Sequence, residues 1–267
     1  MVRTMADDRA PREVQEWARA RAAARTARDW AEADRLRAEI EGAGWTIVDD
    51  GLRYRLRPAH PPDELEGEPV RYGRSLSVPS MLDEPPTDPL TVVIVASPVP
   101  SDTDRAVASV RGTAPAGSRI VVVADGIDLD AVAADEIVRT TVPLGHAAAL
   151  NCGLRRAMSS IVAILDPSVE VAGDTWTPLM AALDDPTVAV AGGFGIVTDD
   201  LRHFRDGPAG DVDAIEGYLM AFRRADYASR GPLDEHFRFY RNLDIWWSLV
   251  LRDEGEGSAP RRAVAMP

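Results

Sequence analysis

The chain has no lysine: all 30 of its basic residues are arginine. It has one cysteine, Cys152, and this excludes an internal disulfide and a cysteine zinc cluster. Cys152 falls in an apolar helical pattern, where a small buried filler is expected rather than a nucleophile. No apolar run approaches the roughly 20 residues needed to span a bilayer. Met1 to Pro11 is polar and does not read as a signal peptide, so a soluble, cytoplasmic protein is expected. Acid is abundant. The net charge is -13 over 267 residues, and it is unevenly placed. Through Arg57 there are 12 Arg against 11 acids, and beyond it 18 against 32. That acidic body argues against non-specific nucleic-acid binding. With 45% hydrophobic residues the chain can bury a sizeable core in one or two domains.

The first segment, 1–57, reads as a helical hairpin followed by a short β-hairpin. Val14, Trp17, Ala18 and Ala22 recur at helical spacing, and Ala33, Leu36, Ile40 and Ala43 repeat a similar stripe. Gly42 and Gly44 end the second helix, and two short strands alternate around an Asp49-Asp50-Gly51 turn. Residues 58–89 hold eight prolines and few large apolar side chains, so an extended, irregular linker is expected. From Leu90 the pattern changes to apolar strands separated by helices: Leu90 to Ala96, Arg119 to Ala124, Ile137 to Val142 and Ile161 to Leu165. Such runs predict an α/β domain over 90–267, with a mainly parallel sheet covered by helices on both faces.

Ligands on such sheets bind beyond the carboxyl ends of the strands, where Asp125 and Asp166 fall. Farther along, Asp244 sits among Leu243, Ile245, Trp246 and Trp247. An ionised carboxylate there loses water, and desolvation can raise its proton affinity toward that of a general base. An Asp in the first turn of a helix, favourable to the dipole, explains the same residue without chemistry.

Taken in order, these features resemble a glycosyltransferase family 2 catalytic domain of the GT-A fold. Val121-Val-Val-Ala-Asp125-Gly126-Ile-Asp128 is similar to the family strand ending in Asp-Asp-Gly-Ser, and the resemblance implies that Asp125 contacts the nucleotide base. Gly145-His-Ala-Ala-Ala149-Leu150-Asn151-Cys-Gly153 resembles the family's Gly-x-x-x-Ala-Arg-Asn-x-Gly helix, which implies nucleotide-sugar contacts at Gly145 and Asn151. Asp166-Pro167-Ser168 stands at the family's Asp-x-Asp, so Asp166 is the implied ligand of nucleotide sugar and of a Mg2+ or Mn2+ ion. Ser168 supplies only a weak neutral oxygen there. Ala191-Gly192-Gly193-Phe-Gly195, Glu216-Gly217 and Asp234-Glu235 resemble acceptor-side segments, implying acceptor contacts at Gly193, Gly217, Asp234 and Glu235. Trp246 is a candidate to stack on a sugar face, and buried core is its alternative. Asp244 matches the Asp of the family's Glu-Asp motif, whose implied role is to deprotonate the acceptor hydroxyl, with Leu243 in place of Glu.

The expected activity is inverting transfer from a nucleotide diphosphate sugar to a hydroxyl of a glycan or lipid-linked acceptor, in the cytoplasm or peripherally at the inner membrane face. The alternative is a degenerate, non-catalytic nucleotide-sugar-binding or scaffold protein, suggested by Ser168, Leu243 and a short segment after Asp244. The stretch Ala18 to Trp45 resembles the C-terminal appended region of cysteinyl-tRNA synthetases. Its even charge makes independent RNA binding unexpected, and a docking or self-association hairpin is the preferred reading.

Overall fold

The computed structural model describes residues 10–50, 53–65, 69–129 and 132–267. The chain divides into two compact units, Met1–Pro62 and Asp63–Pro267. In the first, helices α1 (Arg12–Ala27) and α2 (Trp30–Gly42) are followed by strands β1 (Trp45–Asp50) and β2 (Arg53–Pro58). The Asp29 carboxylate accepts from the Glu32 N–H at 3.1 Å and caps the start of α2, satisfying one of the N–H groups that a helix start leaves unpaired. Val14, Ala18, Ile40 and Ile47 bury a small core. The strands pair antiparallel from Trp45–Pro58 to Asp50–Arg53. Asp49 is therefore a strand residue rather than part of the turn expected at Asp49-Asp50-Gly51, and Gly51 lies outside the described residues. Buried Arg21 grips Asp49 in a fork, with nitrogen–oxygen distances of 2.9 and 3.0 Å. That hydrogen bond first, opposed by burial, holds the Asp49 carboxyl below its ordinary range.

The second unit carries β3 (Thr91–Val95), α3 (Pro100–Thr113), β4 (Arg119–Ala124), β5 (Glu136–Arg139), α4 (His146–Leu154), β6 (Ile161–Leu165) and α5 (Trp176–Asp184). There follow β7 (Val188–Gly192), β8 (Gly195–Thr198), β9 (Phe204–Asp206), β10 (Gly210–Val212), β11 (Ala214–Ile215), β12 (Leu219–Arg223), α6 (Arg224–Arg230), α7 (Leu243–Arg252) and β13 (Arg262–Ala265). An eight-stranded sheet has the order β10-β13-β7-β12-β6-β3-β4-β5. Strands β6, β3, β4 and β5 run parallel, and β12 is inserted antiparallel between β6 and β7. Alternation along each strand feeds two cores. Val92, Ile94, Ile120 and Val122 pack with Ala106, Val110, Trp176 and Leu179 of α3 and α5. Val93, Val121 and Val123 pack with Leu150, Leu154, Leu243 and Trp247 of α4 and α7. The result is the helix-covered, mostly parallel sheet that the continuous Val/Ile runs predict. No helix among the described residues is long and apolar enough to cross a membrane.

The linker expected over 58–89 is corrected. Residues from Asp63 onward belong to the second unit. The proline-rich path is irregular, as expected, but it is bound down by its carbonyls. Val78 O accepts from Arg155 at 2.8 Å, Pro79 O from Arg156 at 2.8 Å and Glu84 O from Arg224 at 2.8 Å. Proline lacks an N–H but keeps its C=O, so arginines can hold a segment that cannot form a ladder. Cys152 is the buried filler expected of it: fully enclosed, with its thiol pushed up to about 12 by burial first and then by the charges of Asp125 and Glu235.

Candidate active site

A cleft opens where the parallel strands end. Asp166 follows β6, Glu216, Gly217 and Tyr218 form the turn between β11 and β12, and Asp244 stands in the first turn of α7; all line one cavity together with His146. A neighbouring depression shares His146, Asp166 and Gly217 and continues past Ser97, Asp102 and Ser168. The Asp166 N–H donates to Tyr218 O at 3.0 Å, which ties the end of β6 to the Glu216–Tyr218 turn. Its Oδ1 accepts from the Ser168 N–H at 2.8 Å and from the Ser168 hydroxyl. The serine that replaces a second acid thus serves to orient Asp166.

Asp244 is held at both oxygens. Oδ2 accepts from the Gly217 N–H at 2.9 Å and Oδ1 from the Ile245 N–H at 2.9 Å. Gly217 lies directly against Asp244: a Cβ built on it would be in ordinary contact with Asp244 Cβ, at 3.5 Å. Asp166, Gly217 and Asp244 are therefore brought together.

Other expected site residues lie elsewhere or are engaged within the protein. Asp125 Oδ1 accepts from Thr140 Oγ at 2.9 Å and Leu144 N at 2.8 Å, and Oδ2 from Gly145 N at 3.2 Å. It shapes the turn into α4 and does not line the cleft. Gly145 has φ +104°, and a Cβ there would meet Arg238 Cα at 3.1 Å. The close approach expected of a nucleotide is made by the protein's own loop, which also takes the His146 and Ala147 N–H groups on Arg238 O and Phe237 O.

Asn151 is buried, and its amide is spent. Nδ2 donates to Leu233 O at 2.9 Å and Glu235 Oε1 at 3.0 Å, while Oδ1 accepts from Tyr227 OH at 2.9 Å and Leu233 N at 2.9 Å. It positions the Leu233–Glu235 segment instead of facing a ligand. Glu235 is a member of that network, further bonded by the Ser75 hydroxyl. Asp234 binds its neighbour His236 at 2.7 Å. Gly193 gives its N–H to Leu219 O at 3.2 Å. Trp246 packs between Phe237, at 5.6 Å between ring centroids, and Trp247, at 5.9 Å. Trp246 is half-buried and packs at the edge of the core that holds Trp247.

Two cleft residues escaped the sequence reading. His146, at the start of α4, has its basicity lowered by burial, against the pull of Asp166, Asp244 and Asp125. Glu216 has its carboxyl raised, by burial first and then by the charges of Asp244 and Asp206. Both stand inside segments that carry the family resemblance, but the resemblance gives neither a role. The usable signal was proximity to Gly145 and Gly217, positions already singled out.

Among the described residues no group of three His, Cys, Asp or Glu side chains could by itself hold a metal ion. Hard divalent cations are also held by one carboxylate together with substrate phosphates, and Asp166, with Oδ1 fixed by Ser168, fits a site of that kind.

A comparison with curated proteins gives no match. Among solved structures, the chain is similar to GalNAc-T7, whose crystal structure holds UDP, GalNAc and Mn2+, at 18% identity and a TM-score of 0.54 over 66% of this chain and 42% of that one. It is also similar to the mannosyltransferase PcManGT from Pyrobaculum calidifontis, in complex with GDP-Man and Mn2+, at 20% identity and a TM-score of 0.51 over 72% of this chain and 59% of that one. The chain thus spans about half the length of these two proteins, and at such identities the likeness is one of GT-A fold. The sequence pattern of glycosyl transferase family 2 matches residues 91–242, more than half of the chain, and the chain belongs to that family.

Proposed function

We propose that the chain transfers a sugar, with inversion, from a nucleotide diphosphate sugar to a hydroxyl group of a glycan or lipid-linked acceptor. The observation that carries this reading is the meeting of Asp166, beyond β6, and Asp244, at the start of α7, in one cleft. The hydroxyl oxygen attacks the anomeric carbon from the face opposite the nucleotide. The bond from that carbon to the diphosphate breaks with its electron pair, and the hydroxyl proton passes to Asp244. The two N–H groups that hold Asp244 fix its direction and leave a lone pair on each oxygen for the acceptor. Fixed orientation of this kind lowers the entropy cost of bringing reactants together.

Asp166 holds the donor end, and a bound Mg2+ or Mn2+ there would offset charge on the departing diphosphate. His146 faces the same end with a ring biased toward its neutral form, which offers one N–H without a formal charge. Asp125, Gly145 and Asn151 support this end from beneath, through the loops they fix. The even charge of the N-terminal hairpin suits docking to a protein or to a second copy. A cytoplasmic location, peripheral to the inner membrane face where the acceptor is lipid-linked, accompanies this reading.

The engagement of Gly145 and of the α4 N–H groups by the Arg238 loop favours a second reading, a domain that keeps the fold and binds nucleotide without turnover. Thermal melting with uridine, guanosine and thymidine diphosphates, each with and without Mn2+, tests the first step common to both. At least one nucleotide is expected to raise the midpoint, and Asp166→Ala to weaken that rise. No shift with any of them would remove the basis of both readings.

A further inference from the structure

Among the described residues, one acid of the cleft has no partner. Glu216 is half-buried between Ile215, which is fully buried, and Gly217, whose N–H holds Asp244. Its backbone is fixed by donation from the Glu216 N–H to Phe194 O at 2.8 Å. Of the acids around it, Asp244 is held by the Gly217 and Ile245 N–H groups and Asp213 accepts from Thr198 N at 2.8 Å, while Asp206 adds a second like charge. Among the described residues the Glu216 carboxylate takes no hydrogen bond and forms no ion pair, and only burial and like charge act on it. A partly desolvated carboxylate without donors is unfavourable, and a ligand carrying donors relieves it.

The surroundings say which ligand. Tyr218 and Phe194 are 40% and 46% exposed, and they meet edge-on with centroids 5.4 Å apart. Phe194 supplies the carbonyl that holds Glu216, so the exposed aromatic pair and the unpaired carboxylate share one piece of backbone. Apolar ring faces beside an acceptor-only group suit a molecule with a C–H face and several O–H donors. A simple alcohol offers a single donor and no such face. A phosphate-bearing acceptor would meet the Glu216 and Asp244 carboxylates, with Arg241 as a cation in the same lining.

We propose that Glu216, with the Phe194–Tyr218 pair, forms the acceptor subsite, and that its ligand is a neutral pyranose whose hydroxyl it presents to Asp244. This deepens the transfer reading and rests on it. Glu216 thereby supplies, from the β11–β12 turn, a carboxylate at the cleft of a chain that has Leu243 in place of the Glu of the family's Glu-Asp motif.

Saturation-transfer NMR on the full chain tests this, with methyl glucoside, mannoside, galactoside and N-acetylglucosaminide as probes and hexanol and glycerol phosphate as contrasts. At least one pyranoside is expected to bind. Glu216→Gln, which keeps the shape, should weaken that binding about tenfold, or about 1.4 kcal/mol, for loss of charge-assisted hydrogen bonding. Tyr218→Ala should weaken it several-fold, and neither change should alter nucleoside diphosphate affinity. Absence of pyranoside binding, or variants that bind as the parent does, overturns the proposal. Binding of hexanol or glycerol phosphate in place of pyranosides overturns it equally. Pyranoside binding that depends on Glu216 in a protein that binds no nucleotide would sink the transfer reading and leave the subsite standing.

Discussion

Replacing Asn151 by alanine separates a ligand contact from a structural clamp. The side chain makes four hydrogen bonds, all inside the protein. Truncation leaves Leu233 N–H, Leu233 C=O and the Tyr227 hydroxyl without partners in a buried place, since Leu233 is 1% and Tyr227 3% exposed. Each such orphan costs roughly 1–3 kcal/mol, so a loss of at least about 3 kcal/mol is expected, a large part of the roughly 5–15 kcal/mol that holds a typical domain. Asn151→Asp keeps the acceptor for Tyr227 and Leu233 N but turns a second oxygen toward Leu233 O and the Glu235 carboxylate, so it too should destabilise, more at pH 7 than at pH 4. Urea unfolding gives the stability, and nucleoside diphosphate titration of the folded protein gives the affinity. An alanine variant within about 1 kcal/mol of the parent that has lost nucleotide affinity would refute the clamp and return Asn151 to the ligand.

Gly126 has φ +66°, and a Cβ would come within 2.2 Å of Pro143 N and 2.6 Å of Val142 C. Both are backbone atoms, so Gly126→Ala should cost at least about 2 kcal/mol, and a melting temperature equal to the parent's would contradict the crowding. Glu216 has its carboxyl raised by burial and by Asp244 and Asp206, which face it. The folded protein therefore holds that proton more tightly than the unfolded chain. The group's contribution to stability is complete below the ordinary carboxyl range and is lost as pH rises through the raised value. Glu216→Gln should accordingly be more stable than the parent at pH 7 and no more stable at pH 4; a pH-independent difference would show that the carboxylate is not desolvated.

The sheet was legible because its strands are local. Arg119 to Ala124 and Ile161 to Leu165 are continuous apolar runs with a single reading, and the acids that follow them fall at the strand ends by chain geometry alone. The helix containing Asn151 was legible too, but the destination of its side chain was not. Leu233 lies 82 residues away, and nothing in a motif distinguishes an amide aimed at a ligand from one aimed at a distant turn. The same holds for Gly145, where the crowding partner is Arg238. Residues 63–89 misled because proline content signals the loss of N–H donors and says nothing of where the carbonyls go. Arg155, Arg156 and Arg224 hold that path, and their spacing from it in sequence hides the pairing. Glu216 and His146 became visible only once the β11–β12 turn and the start of α4 were brought against α7.

Turnover by the Asp244→Asn protein bears most directly on the cleft as a site of sugar transfer. Nucleoside diphosphate release from nucleotide diphosphate sugars would be followed with pyranoside acceptors, alongside binding of the same nucleotide. Expected is release by the parent that falls by at least about a hundredfold in the variant, with nucleotide affinity unchanged. Equal release by both proteins would contradict the assignment of the acceptor proton to Asp244.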